Sequence, residues 1–235
     1  MKHITPEKSL FTFYVIATPI GNMSDMTFRA IEILKNVDLI LCEDTRTSRK
    51  LLEHYQISTK TESYHANSST AKSNKIIEMV REGKTLALIS DAGTPCISDP
   101  GVLIVRQLKD EFGKDISIVP IPGASAVISA IQASGVPSSE FTFLGFMPHK
   151  KGRETLFKEI LDSKRTMVFY ESPHRIEKTL QSLEKFVPEA KIVIAREITK
   201  LFEEFLEGTP SELITHFKNN PNTMKGEFVV LIPRK

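Results

Sequence analysis

Two acids, Glu43 and Asp44, follow the short apolar run Leu39 to Cys42 and precede a cluster of cations, Arg46, Arg49 and Lys50. A second basic cluster, Lys150, Lys151 and Arg153, and the pair His174 and Arg175, behind the apolar run Thr166 to Tyr170, lie in the other half of the chain. An acid at the end of a buried strand can hydrogen-bond a ribose. Guanidinium and ammonium groups can hold phosphates, although either cluster alone reads equally well as a solvated face. His174 and Arg175 can touch an anion; a lone histidine before a helix is otherwise a capping or surface residue.

Two loops of small residues give these charges something to surround. The run Leu86 to Ile89 breaks into Ser90-Asp91-Ala92-Gly93-Thr94-Pro95, and Ile116 to Ile121 breaks into Pro122-Gly123-Ala124-Ser125-Ala126. Each reads as strand, loop, helix, with Asp99 and Pro100 expected as N-cap and first position of the helix after the first of them. Glycine lets a ligand approach the main chain, whereas the bland alternative is a simple turn. There is no Gly-x-x-x-x-Gly-Lys-Ser/Thr, and the loop after the first strand has only Gly21, so neither a P-loop nor a dinucleotide fingerprint is present. The six histidines are scattered and no metal site is expected. Small-residue loops beside basic clusters point to a small cofactor inside and a polyanion at the rim.

The elements that must hold these residues alternate. Strands are expected at Phe11 to Ala17, Leu39 to Cys42, Lys60 to Tyr64 (an edge), Leu86 to Ile89 and Ile116 to Ile121. The helix after the first strand, capped by Ser24 or Asp25, buries Ala30, Ile33, Leu34 and Val37; further helices fall near Ser69 to Arg81 and up to Phe112. The acidic and basic stretch Glu43 to Lys50 reads as a loop before a short helix ending near Tyr55. In the second half, strands at Phe141 to Phe146, Thr166 to Tyr170, Lys191 to Ala195, Phe202 to Glu207 and Glu227 to Ile232 alternate with helices carrying Phe157 and Ile160, then Ile176, Leu180, Leu183 and Val187. A short helix starts near Ser211. The last two strands are expected to pair antiparallel, and the alternation of the first half indicates a mostly parallel α/β layer. Phe28, Phe146 and Phe202 are assigned to the core.

With 235 residues, 40% hydrophobic and 26% charged, the chain is long enough for one or two ordinary globular cores. A net charge of +2 supplies no overall field for nucleic acid, so any such contact must be local. Cys42 and Cys96, with no secretion signal or membrane span in the sequence, read as free thiols of a cytoplasmic protein. A boundary near Pro122-Gly123 divides residues 1–122 from 123–235.

Five ordered motifs carry a resemblance: Tyr14 to Asn22 (YVIATPIGN), Cys42 to Arg46 (CEDTR), Ser90 to Pro95 (SDAGTP), Pro122 to Ser125 (PGAS) and Tyr170 to Arg175 (YESPHR). Together they resemble the small-subunit ribosomal RNA methyltransferase I family, within the tetrapyrrole methylase superfamily, from about Phe11 to Ile232. The resemblance implies an α/β fold of two α/β/α domains, the class III arrangement of S-adenosylmethionine-dependent methyltransferases, with that cofactor in the cleft between them. It also implies a homodimer and 2′-O-methylation of a cytidine ribose in the decoding region of small-subunit RNA. By motif, the cofactor is expected at Pro19, Ile20, Gly21, Asp91, Ala92, Gly93, Thr94, Ile97, Ser125, Ala126, Tyr170 and Ala195. The RNA is expected at Arg46, Arg49, Lys50, Lys150, Lys151, Arg153, Arg175 and Lys200, within the assembled subunit. Porphyrin-type members have a richer glycine loop after the first strand and Gly-Asp-Pro where this chain has Gly93-Thr94-Pro95, a departure that favours the ribosomal branch.

Methyl transfer to a ribose hydroxyl needs alignment and help in removing a proton. Asp44, Glu43 and His174 are the candidate bases, Asp44 foremost, with Arg46 or Lys200 lowering the hydroxyl's pKa; the alternative is that Glu43 and Asp44 only pair with Arg46 and Arg49. Two rival readings are C-methylation of a corrinoid or porphyrin precursor and a non-catalytic nucleoside-binding module on the ribosome.

Overall fold

The computed structural model describes residues 9–149 and 151–234. They divide into two compact units, the chain passing from one to the other after Ser125.

The first unit runs β1 (Phe11–Ile16), α1 (Phe28–Asn36), β2 (Leu39–Cys42), α2 (Thr45–His54), β3 (Thr61–Ser63), α3 (Thr70–Arg81), β4 (Leu86–Ile89), α4 (Val102–Phe112) and β5 (Ile116–Ile121). Its sheet has the order β3-β2-β4-β1-β5 with every pairing parallel. β2 and β4 lie inside it and every residue of both is buried, the continuous apolar pattern that covering helices on both faces require. Ala30 and Leu34 of α1 pack with Ile40, Ala87 and Ile89 in one core, and Ile76 of α3 and Ile104 of α4 pack with Phe13, Leu41 and Leu88 in the other.

The second unit runs α5 (Ala126–Ser134), β6 (Phe141–Phe146), α6 (Arg153–Asp162), β7 (Thr166–Glu171), α7 (Ile176–Phe186), β8 (Ile192–Arg196), β9 (Glu204–Gly208), α8 (Pro210–Asn219) and β10 (Phe228–Ile232). The sheet order is β6-β7-β10-β8-β9. Only β6 and β7 are parallel; the other three pairings are antiparallel. β10 inserts between β7 and β8, so β9 pairs with β8 and not, as expected, with β10. Hairpin neighbours β8 and β9 close over a short turn, whereas β10 arrives after α8 and takes the inner position, where all five of its residues are buried. The stripe Ile176, Leu180, Leu183 and Val187 faces this core together with Phe157, Phe169 and Phe217.

Several local expectations change. Thr27, not Ser24 or Asp25, caps α1, its hydroxyl accepting the Ala30 N–H at 3.1 Å, because Met23–Asp25 forms its own 3-10 turn capped by Asn22. Asp99 and Pro100 lie before α4, whose N-cap is Gly101 at φ 132°. A Cβ there would stand 2.5 Å from Leu88 Cδ2 and 2.8 Å from the Cys96 sulfur, so only glycine admits this close entry. Arg46, Arg49 and Lys50 ride on α2 instead of in a loop. Phe28, Phe146 and Phe202, assigned to the core, are 93%, 58% and 65% exposed: helix start, strand end and turn tip put their rings outside the layers. Both cysteines are free thiols, Cys42 buried and Cys96 half-buried. Among the described residues no helix is long and apolar enough to cross a membrane.

Candidate active site

In the first unit the loops at the carboxyl ends of β1, β4 and β5 are laced into one platform. Thr18, almost fully buried, donates its N–H to Gly93 O at 2.8 Å, and Gly93 N–H returns to Thr18 O at 3.1 Å. The Thr18 hydroxyl donates to Ser90 O at 3.1 Å, and the Thr94 hydroxyl donates to Ala124 O at 3.1 Å. Gly123 lies so close to Ala17 that a Cβ would come within 2.9 Å of the alanine methyl. Small residues are needed where three backbones meet, which is the physical content of the SDAGTP and PGAS stretches. Pro19, Ile20 and Gly93 are buried as the foundation of this platform, Thr94 and Ser125 are half-buried, and Gly21, Asp91, Ala92 and Ile97 are exposed on it. Gly93 at φ 79° is joined by two non-glycine residues in the left-handed region, Cys96 at φ 70° and Ser98 at φ 66°. Such conformations persist only where surrounding structure holds them and cluster at binding sites.

A group of carboxylates lies beside the platform. Asp91 Oδ1 accepts the Asp44 N–H at 3.2 Å, joining the ends of β2 and β4. Burial, with Asp91 beside it, pushes the Glu43 carboxyl above its usual range, an effect that His65 partly offsets. Asp99 goes further, to about 6, through burial and then the charges of Glu43 and Asp91. The sequence gives no sign of this setting for Asp99, since the Asp-Pro pair reads as a helix start and its neighbours Glu43 and Asp91 are distant in the chain. Asp44 behaves differently. Its carboxylate accepts the Arg46 N–H at 2.8 Å as the N-cap of α2 and pairs with the Arg46 guanidinium at 2.9 Å, and these bonds hold it below the usual range. The expected alternative, an acid pairing with its neighbouring arginine, is therefore present at Asp44. Arg46 keeps 87% of its side chain exposed, and Arg49 and Lys50 are exposed on the same helix.

In the second unit Tyr170 receives the Val127 N–H at 3.1 Å on its hydroxyl, holding the start of α5 and hence Ala126. Its ring meets those of Phe143 and Phe146 at 4.8 and 5.4 Å. Ala195 is fully buried on β8, between β9 and β10. His174 is exposed in the turn before α7. Lys151 is exposed; Lys150 lies outside the described residues. Arg153 and Arg175 are not solvent-facing cations: only 11% and 18% of their side chains are exposed, because the buried Glu171 carboxylate draws both inward. Lys200 is bound by Glu197 at 2.9 Å and Glu227 at 2.7 Å; burial disfavours its charge, yet the two acids outweigh it and raise the ammonium's pKa.

The sequence profile of the tetrapyrrole (corrin/porphyrin) methylases matches residues 12–214. The chain is 45% identical over 223 residues to the ribosomal RNA small subunit methyltransferase I of Halalkalibacterium halodurans, covering 94% of this chain and 75% of that protein. It is 46% identical over 222 residues to the protein of the same name from Vibrio cholerae, covering 93% and 76%. Two solved structures share the fold. The cobalamin biosynthetic enzyme cobalt precorrin-4 methyltransferase aligns with TM-score 0.65 at 19% identity over 98% of both chains. A diphthine synthase aligns with TM-score 0.70 at 12% identity, over 94% of this chain and 89% of that one.

Proposed function

This chain belongs to the tetrapyrrole methylases and, within them, to the ribosomal RNA small subunit methyltransferase I family, and from that premise we propose that it methylates the 2′-hydroxyl of a cytidine ribose in the decoding region of small-subunit RNA, with S-adenosylmethionine as donor. The observation that carries the reading is 45% identity to a protein of that name along 94% of the chain. The assembled subunit in the cytoplasm is the proposed substrate, and a homodimer the proposed working form. Leu201 and Phe202, 90% and 65% exposed on a turn, suit a surface that a partner covers.

The platform fits the cofactor. A Cβ on Gly93 would stand 3.2 Å from Ile20 Cγ2, so glycine lets the two loops pack this closely, and Gly21, Asp91, Ala92 and Ile97 are the exposed residues the platform offers a ligand. When bound, S-adenosylmethionine supplies a methyl group on a cationic sulfur. The chain's own part is to hold Pro19 to Gly21, Asp91 to Thr94 and Ser125 in fixed loops, with Ala126 at the start of α5, so that orientation supplies much of the acceleration. Of the candidate bases, Glu43 has its pKa raised by burial and by the charge of Asp91, and it lies in the field of Asp99, so this acidic group is the proposed acceptor of the ribose proton. Asp44 fixes α2 and Arg46, whose exposed guanidinium, with Arg49 and Lys50, is proposed to hold phosphates; in the second unit the exposed Lys151 is proposed for the same role. His174, exposed before α7, is the remaining candidate for contact with the RNA.

The test is methyl transfer from radiolabelled S-adenosylmethionine to small subunits from a strain lacking the modification, with naked RNA and a corrinoid precursor in parallel. Label in a subunit ribose supports the reading. Label only in the macrocycle moves the chain to C-methylation, and cofactor binding with no transfer makes it a binding module.

A further inference from the structure

The second unit contains a buried charge network that the proposed chemistry does not use. Glu171 ends β7 with its side chain fully enclosed, a placement that is unfavourable for a carboxylate unless it is paired and hydrogen-bonded. Its Oε1 accepts the Ser172 N–H at 2.9 Å and lies 3.4 Å from Arg175 Nε. Its Oε2 accepts the Thr179 hydroxyl at 2.6 Å and lies 3.9 Å from Arg153 Nη1. Thr179 in turn accepts Arg153 Nη2 at 2.6 Å, so the hydroxyl relays between acid and guanidinium.

The outer N–H groups of both arginines converge on two carbonyls. Arg175 Nη2 donates to Met147 O at 2.5 Å and Pro148 O at 3.0 Å, and Arg153 Nη1 donates to Pro148 O at 3.1 Å. These residues follow β6 directly. Met147 is buried and Pro148 half-buried, while His149 and Lys151 just beyond are exposed. The chain thus leaves the core at a point pinned by three hydrogen bonds from the starts of α6 and α7. A buried ion network is a poor way to gain stability, because well-packed apolar residues do as well or better. Two arginines on the backbone of a loop instead set its direction.

We infer that Glu171 is a positioning residue for RNA binding, orienting Arg153 and Arg175 so that the backbone at Met147 and Pro148 aims His149 and Lys151 at the phosphates of the substrate. This rests on the RNA reading above. Removing the carboxylate leaves two buried cations without their partner; removing the Thr179 hydroxyl breaks the relay and leaves the charges balanced.

The experiment compares Glu171→Gln, Thr179→Val and Lys151→Ala with the parent, below the unfolding temperature of each. Steady-state methyl transfer to small subunits, S-adenosylmethionine binding and trypsin cleavage after Lys151 are the readouts. Expected for Glu171→Gln and Thr179→Val is a KM for subunits raised roughly ten-fold, with kcat and cofactor affinity within about two-fold and cleavage faster by roughly ten-fold. Adding Lys151→Ala to Thr179→Val raises KM by less than the product of the single effects, since both act through one loop. Should Glu171→Gln not fold, Thr179→Val carries the test. An active parent whose variants keep the subunit KM and lose only thermal stability overturns the inference alone. A parent that labels no subunit overturns the RNA reading and the inference together.

Discussion

Thr18 and Gly93 form an isolated antiparallel bridge, N–H to O at 2.8 and 3.1 Å, between loops that leave the parallel neighbours β1 and β4. The pairing turns two connections into one surface and fixes the main chain that the cofactor is proposed to meet. Gly93 holds φ 79° there, and a Cβ would press on Ile20 at 3.2 Å. Gly93→Ala is expected to lower unfolding stability by about 1–2 kcal/mol, the cost of a left-handed L-residue. Calorimetric titration with S-adenosylmethionine should show an affinity at least several-fold weaker.

Asp44 and Glu43 are adjacent yet face opposite demands. Asparagine caps helices about as well as aspartate, so Asp44→Asn should keep α2 and lower kcat by no more than a few-fold. Glu43→Gln should lower kcat by about 100-fold or more, the scale of a lost general base. Single-turnover methyl transfer separates the two, and the reverse ranking would return the base role to Asp44.

Asp99 titrates near 6 in the fold against 3.8 ordinarily, because burial and its acidic neighbours disfavour its charged form. The sign follows: the fold binds this proton more tightly than the unfolded chain, so the group favours folding at low pH. The penalty of ionising it grows as pH rises from about 4 to 6. Asp99→Asn removes the penalty. Urea unfolding should show the variant more stable than the parent by about 1–3 kcal/mol at pH 7.5, at ~1.4 kcal/mol per pH unit. The gain should shrink toward zero near pH 4.

Leu180 sits at the middle of the α7 stripe with no exposed surface, within the core around Phe169 and Val230. Leu180→Ala should cost about 2–5 kcal/mol through lost transfer energy and the cavity left behind. Thermal unfolding checks this, and S-adenosylmethionine affinity measured well below the transition should hold.

By itself, the sequence determined the α/β character and most of the elements. β2, β4, β5 and β6 fall where short apolar runs end in turn residues, and α7 where Ile176, Leu180 and Leu183 recur at helical spacing. Strand length, helical period and the small residues of the loops are local properties, readable within a dozen positions. Only the tertiary structure decided which groups share a field. Arg153 and Arg175 belong to a basic cluster and a turn until Glu171 draws them into the core. Asp99 is a helix start until Glu43 and Asp91 approach it, and β10 is a last strand until it enters the middle of its sheet. Phe28, apolar by type, stays in water because the first position of α1 points away from both cores. Burial and charge state depend on partners brought together by folding, and their energies are set by distance and desolvation in space, which no local pattern of residue types encodes.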